Sequence, residues 1–196
     1  MREFHKPVRR PGDFLETLVA SGDASESLAG DSAAAFLHRV RQTPDPDMAE
    51  RIIAYADEHG IDDVAELWAE APAVSLPGAL WRIHLLRHVV ASDPRRAGLQ
   101  FREGVALASD ADAAVAGAPH TPSPEEIVEL ANTILSGAFT GDFAVALARA
   151  AAFSRIQSEG AKELGGEDEQ RAARAYAEFA AELTQAAAQW RAGSLT

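Results

Sequence analysis

At three points the chain sets an Asp or Ser directly before proline: Asp45-Pro46, Asp93-Pro94 and Ser123-Pro124. An Asp or Ser oxygen accepts from the orphan N–H groups of a first helical turn, and proline, with no N–H and a helical φ, suits the first position. Glu125 and Glu126 follow the third pair. Glu126 can therefore close a capping box, and both acids face the positive end of the helix dipole. Gly60, Gly137 and the pair Gly165-Gly166 read as helix stops. Between these signals apolar residues recur at spacings of three and four, with almost no alternation of the kind a strand needs. The expectation is an all-α chain: a compact multi-helix bundle of eight or nine helices, closed by a long C-terminal helical hairpin over about 142–191.

A chain of 196 residues is long enough for one well-buried core and short for two. Residues 1–12 read as a flexible basic arm ending at Pro11-Gly12, and 13–196 as a single helical domain. Helices are expected at 13–20, from Asp31 or Ser32 through Val40, at 46–59, from Asp62 to Pro72, at 77–91, after Asp93, at 124–136, at 142–164 and at 167–191. The segment 109–123, small, polar and proline-bearing, reads as a mobile surface loop. No fixed-period repeat suggests a solenoid.

Composition excludes several classes of function. With no cysteine there is no disulfide, thiolate nucleophile or cysteine-ligated metal. No window approaches the ~18 apolar residues of a membrane helix, and no apolar run follows the basic N-terminus as a signal peptide requires. A cytoplasmic protein with no membrane partner is expected, and the preference for arginine over lysine, with abundant alanine, suggests a GC-rich bacterial genome. The net charge of −12 argues against nucleic acid as a partner. It is unevenly spread: residues 1–10 carry +3 and residues 81–102 carry +4, leaving −19 elsewhere. Walker, Gly-x-Gly-x-x-Gly, nucleophile-elbow, zinc-deaminase and Glu-x-x-His di-iron patterns are all missing. Asp110-Ala-Asp112 begins like an EF-hand loop but lacks its later ligands.

The segment Leu76–Val90 is apolar on most of its circumference yet carries Arg82, His84, Arg87 and His88. Charge on a helix bound for a core is either paired or functional. Trp81, His84, Leu85 and His88 share one face. Trp81, Arg82, His84, Arg87 and His88 are therefore the candidate ligand-binding residues, with core histidines and salt-bridged arginines as the plainer alternative. His84 and His88 have metal-ligand spacing, but the intervening Leu-Leu-Arg lacks the glutamate of H-E-x-x-H. A third ligand would have to come from elsewhere, for instance Glu58, His59 or His120, and no metal or other cofactor is expected. In this spacing the pair resembles the three-histidine bundles of the DinB-like superfamily. The resemblance covers those two positions alone, and no metal chemistry is carried over from it. Arg82, Arg87, Arg95, Arg96 and Arg102 could together hold a phosphate or carboxylate. The acids of 57–63 are accounted for by helix ends.

Along the last helix Ala172, Tyr176, Phe179, Leu183, Ala186 and Trp190 follow steps of four and three. This seam packs either on the preceding helix or on a second copy. In the second case Tyr176, Phe179, Leu183 and Trp190 form the interface of a homodimer. Two readings of function follow. The first is a non-enzymatic interaction or regulatory protein, self-associating and with an unidentified protein partner. The alternative is a binder of small anionic molecules, or an enzyme, with a His/Arg pocket on the 76–91 helix; no catalytic residue is assigned.

Overall fold

The computed structural model describes residues 28–35, 37–38, 68–117 and 122–196. These residues are 84% helical, with no strand among them and seven helices, so the all-α expectation holds. The basic arm, the helices expected at 13–20 and 46–59, and the acidic cluster at 57–63 lie outside the described residues, as do Glu58, His59 and His120. The first described helix, at 28–35 and 37–38, buries Ala29, Ala33 and Leu37. It is joined to Trp68 by a 3.1 Å hydrogen bond from the indole Nε1 to Ser32 Oγ.

Six further helices follow: α1 (Leu76–Ser92), α2 (Pro94–Leu107), α3 (Asp110–Ala116), α4 (Pro124–Thr140), α5 (Phe143–Leu164) and α6 (Glu167–Arg191). Their starts are the capping signals of the sequence. Asp93 Oδ1 accepts from the Arg96 N–H at 3.1 Å. Ser123 and Glu126 form the full capping box, at 3.2 and 2.8 Å. Asp142 Oδ1 accepts from Ala144 N–H at 2.8 Å. Between α5 and α6, Gly165 and Gly166 take φ of +70° and +91°, a left-handed pair that side-chain-bearing residues rarely adopt.

Three expectations are corrected. Gly137 does not end α4, which continues to Thr140 with Gly141 as its C-cap. Ala138 and Phe139 are buried in the core, and that packing outweighs the weak helix preference of one glycine. The expected loop at 109–123 contains α3. Ser109 caps it at Asp112 N–H, Arg155 of α5 bridges to Asp112 at 2.7 Å, and Ala116 is fully buried. Finally, α1 is not buried all round: His88, Val89, Ala91 and Ser92 are exposed.

The core gathers around α5, which packs on α1, α2, α3, α4 and α6. Phe101 of α2 and Phe153 of α5 are both fully buried, with ring centroids 5.3 Å apart. Two glycines set the approach of these helices. A Cβ on Gly104 would lie 1.9 Å from the Ile156 carbonyl oxygen, and one on Gly160 would lie 1.6 Å from that of Gln100. The crossing is therefore backbone on backbone. Facing α6, the Ser158 hydroxyl donates to the Ala173 carbonyl at 2.8 Å. Ser154 Oγ and both amide atoms of Gln157 are buried with no hydrogen-bond partner among the described residues, a burden of about 1–3 kcal/mol per group.

Candidate functional site

The five residues singled out on α1 do not converge. The Arg82 Nε donates to Glu182 of α6, and its Nη1 donates to the Gly78 carbonyl at 3.1 Å. Its guanidinium lies 6.0 Å from the centroid of the Phe179 ring. Arg87 is buried and points the other way, with Nε donating to Asn132 Oδ1 of α4 at 2.8 Å. Trp81 and His84 are half-buried with ring centroids 5.8 Å apart, whereas His88 is exposed. The helical pitch explains the divergence: the two arginines are five positions apart, about 140° around the axis, so they serve different neighbours.

The remaining cations of the proposed anion clamp are dispersed as well. Arg96 pairs with Glu169 of α6 at 2.7 Å, Arg102 with its neighbour Glu103 at 3.1 Å, and Arg95 is exposed. Among the described residues no three His, Asp or Glu side chains come together as a metal would need. No described helix is long and apolar enough to cross a membrane.

The α6 seam lies against the rest of the chain. Tyr176, Leu183 and Ala186 are buried in the core, while Ala172, Phe179 and Trp190 are partly buried against it. Trp190 meets Phe143 of α5 edge-on, at 4.9 Å and 80°.

The polar residues that the structure does bring together are, Arg96 apart, not the ones the sequence singles out for a site. Arg96 and Gln100, one turn apart on α2, both donate to Glu169, the amide of Gln100 at 2.6 Å. Gln100 is 2% exposed. Beside them sits Tyr176. These groups border a groove of about 260 Å³ between α1, α2 and α6, whose apolar lining includes Leu85, Val89, Ala175 and Phe179. Val89 is 42% exposed at its edge. Each residue has a local role that conceals its place here: Glu169 satisfies the dipole of α6, Tyr176 belongs to the seam, and a lone Gln in α2 reads as surface. A larger space of about 880 Å³ lies where the 28–38 residues face Ser75, Leu76, Trp190 and Thr196. There the Leu76 N–H donates to the Thr196 carbonyl at 2.9 Å.

Electrostatics at the groove follow from burial. The hydrogen bond to Glu169 raises the Arg96 guanidinium above its ordinary value. Burial pushes the Tyr176 phenol up to about 12, with Arg96 opposing the rise and Glu169 adding to it. A phenol raised in the folded state contributes stability that is complete below its unfolded pKa of about 10 and is lost as pH climbs toward 12. Urea titrations at pH 9 and pH 11.5 are expected to show the wild type losing up to about 2 kcal/mol more than Tyr176→Phe across that interval. Equal losses in the two proteins would show that the phenol does not titrate abnormally.

No protein-family model, no curated protein and no solved structure matches this chain.

Proposed function

We propose that this chain is a non-enzymatic helical regulatory protein that works by binding, with the groove between α1, α2 and α6 as its contact surface. One observation carries the reading. The charged side chains that would have to do chemistry or clamp an anion are tied up between helices, Arg82 with Glu182, Arg87 with Asn132 and Arg96 with Glu169, while an apolar groove with an exposed Val89 stays open beside them. A concave, mostly apolar surface with a few polar groups is the usual form of a binding site. The anionic-ligand alternative has less support, because its best cations already have partners.

In this reading α6 is one wall of the groove and pairs with α5 as a hairpin behind it, within a bundle of eight or nine helices in a cytoplasmic protein. Self-association through the α6 seam is left out, since Leu183 and Ala186 have no exposed surface with which to meet a second copy.

The test uses N-phenyl-1-naphthylamine, an uncharged dye whose emission rises in apolar surroundings. Saturable enhancement is expected with the wild type and its loss in Ala175→Trp, where the new ring fills the groove from the exposed face of α6. Circular dichroism should be the same for both. No enhancement with folded wild type, or equal enhancement in Ala175→Trp, would overturn the groove as the binding surface.

A further inference from the structure

We propose that the groove takes an uncharged ligand with an apolar body and a single hydrogen-bond acceptor, which receives the hydroxyl of Tyr176. The inference rests on the groove being the binding surface and names what enters it.

The polar groups around the groove decide the class. Glu169 accepts one donor on each oxygen, from Arg96 Nε and from the Gln100 amide, and Arg96 Nη2 also reaches the Asp168 carbonyl at 3.5 Å, so the charge of Arg96 is already paired. Asp93 is engaged in capping α2 through Oδ1. Tyr176 is different. Its ring is buried and it lines the groove, while its hydroxyl, with no hydrogen bond to a described residue, is not among the buried unpartnered polar atoms and so keeps some exposure. A hydroxyl open to the groove offers a donor that an acceptor brought by a ligand would meet. A phenol held protonated at ordinary pH donates rather than attracts a cation.

Charge and size set the rest. Asp93 and Glu169 oppose Arg96 alone, so the polar end has no surplus cation for a carboxylate or phosphate. Arg96, facing the same end, opposes an ammonium group there, though less strongly than the two carboxylates oppose an anion. Leu85, Val89, Ala97, Ala172, Ala175 and Phe179 supply the remaining lining, which favours an aliphatic or aromatic body. About 260 Å³ is just below the usual range for drug-sized sites, so the ligand is small: a ketone, ester or amide with a short chain.

Three seven-carbon probes separate the possibilities when titrated into ¹⁵N-labelled full-length protein: 2-heptanone, heptanoate and heptylamine. The ketone is expected to shift amides around Val89, Ala175 and Phe179, with heptanoate and heptylamine at least several-fold weaker. Tyr176→Phe keeps the ring and loses no internal hydrogen bond, so it should fold; it is expected to bind the ketone about tenfold more weakly, the worth of one hydrogen bond. Ketone binding unchanged in Tyr176→Phe, or a preference for either charged probe, overturns the ligand class while the groove stands as a binding surface. Absence of groove shifts with all three probes overturns both.

Discussion

Gly160→Ala is expected to destabilise the protein by more than about 3 kcal/mol, enough to unfold much of it at 37 °C. The new methyl group would have to occupy a point 1.6 Å from the Gln100 carbonyl oxygen. That obstacle is backbone, so no rotamer change can relieve it, and α2 has to move away from α5 as a body. The Phe101–Phe153 contact and the burial of Ile156 go with it. Gly104→Ala, 1.9 Å from the Ile156 carbonyl, should behave alike. Gly98, on the same helix, is the control. A Cβ there meets nothing nearer than Pro124 Cα at 4.0 Å, so Gly98→Ala should stabilise by about 0.5–1 kcal/mol through backbone entropy alone. Chemical denaturation of the three variants measures this directly. If Gly160→Ala and Gly98→Ala shift stability in the same direction, the close crossing of α2 and α5 is refuted.

Leu183→Asp is expected to abolish folding, with a loss above about 4 kcal/mol. Leu183 has 0% exposure within a single chain, and a carboxylate there has neither water nor a cation to meet it. A seam residue facing only a second copy would give a different outcome: a folded monomer with a normal helical spectrum and a reduced mass in solution. Circular dichroism and analytical ultracentrifugation on one sample distinguish these outcomes. A cooperative, native-like melt for Leu183→Asp would put the seam back at an interface.

The elements were easier to read in the residues than their relations. Ser123-Pro124-Glu125-Glu126, Asp93-Pro94 and Asp142 mark helix starts through interactions confined to four consecutive residues, and the structure has those hydrogen bonds. Gly137 misled because its stop signal is local too, while what carries α4 onward is the burial of Ala138 and Phe139 against other helices. Helix α3 was missed for the same reason. Its anchors are Arg149 and Arg155, more than thirty residues downstream.

The candidate site was less legible still. That Arg82, Arg87 and Arg96 needed partners was evident from their charge and their apolar surroundings. That Glu182, Asn132 and Glu169 would be those partners was not, since they lie 45 to 100 residues away. Helical class, the ends of most helices and the amphipathic face of α6 were thus determined by the sequence itself, because caps and periodicity act within a turn or two of the chain. The Gly104–Gly160 crossing, the pairing of each cation and the groove beside Tyr176 were decided only by the tertiary structure. Each depends on which helices come together and at what distance, and nothing within a single helix encodes its neighbour.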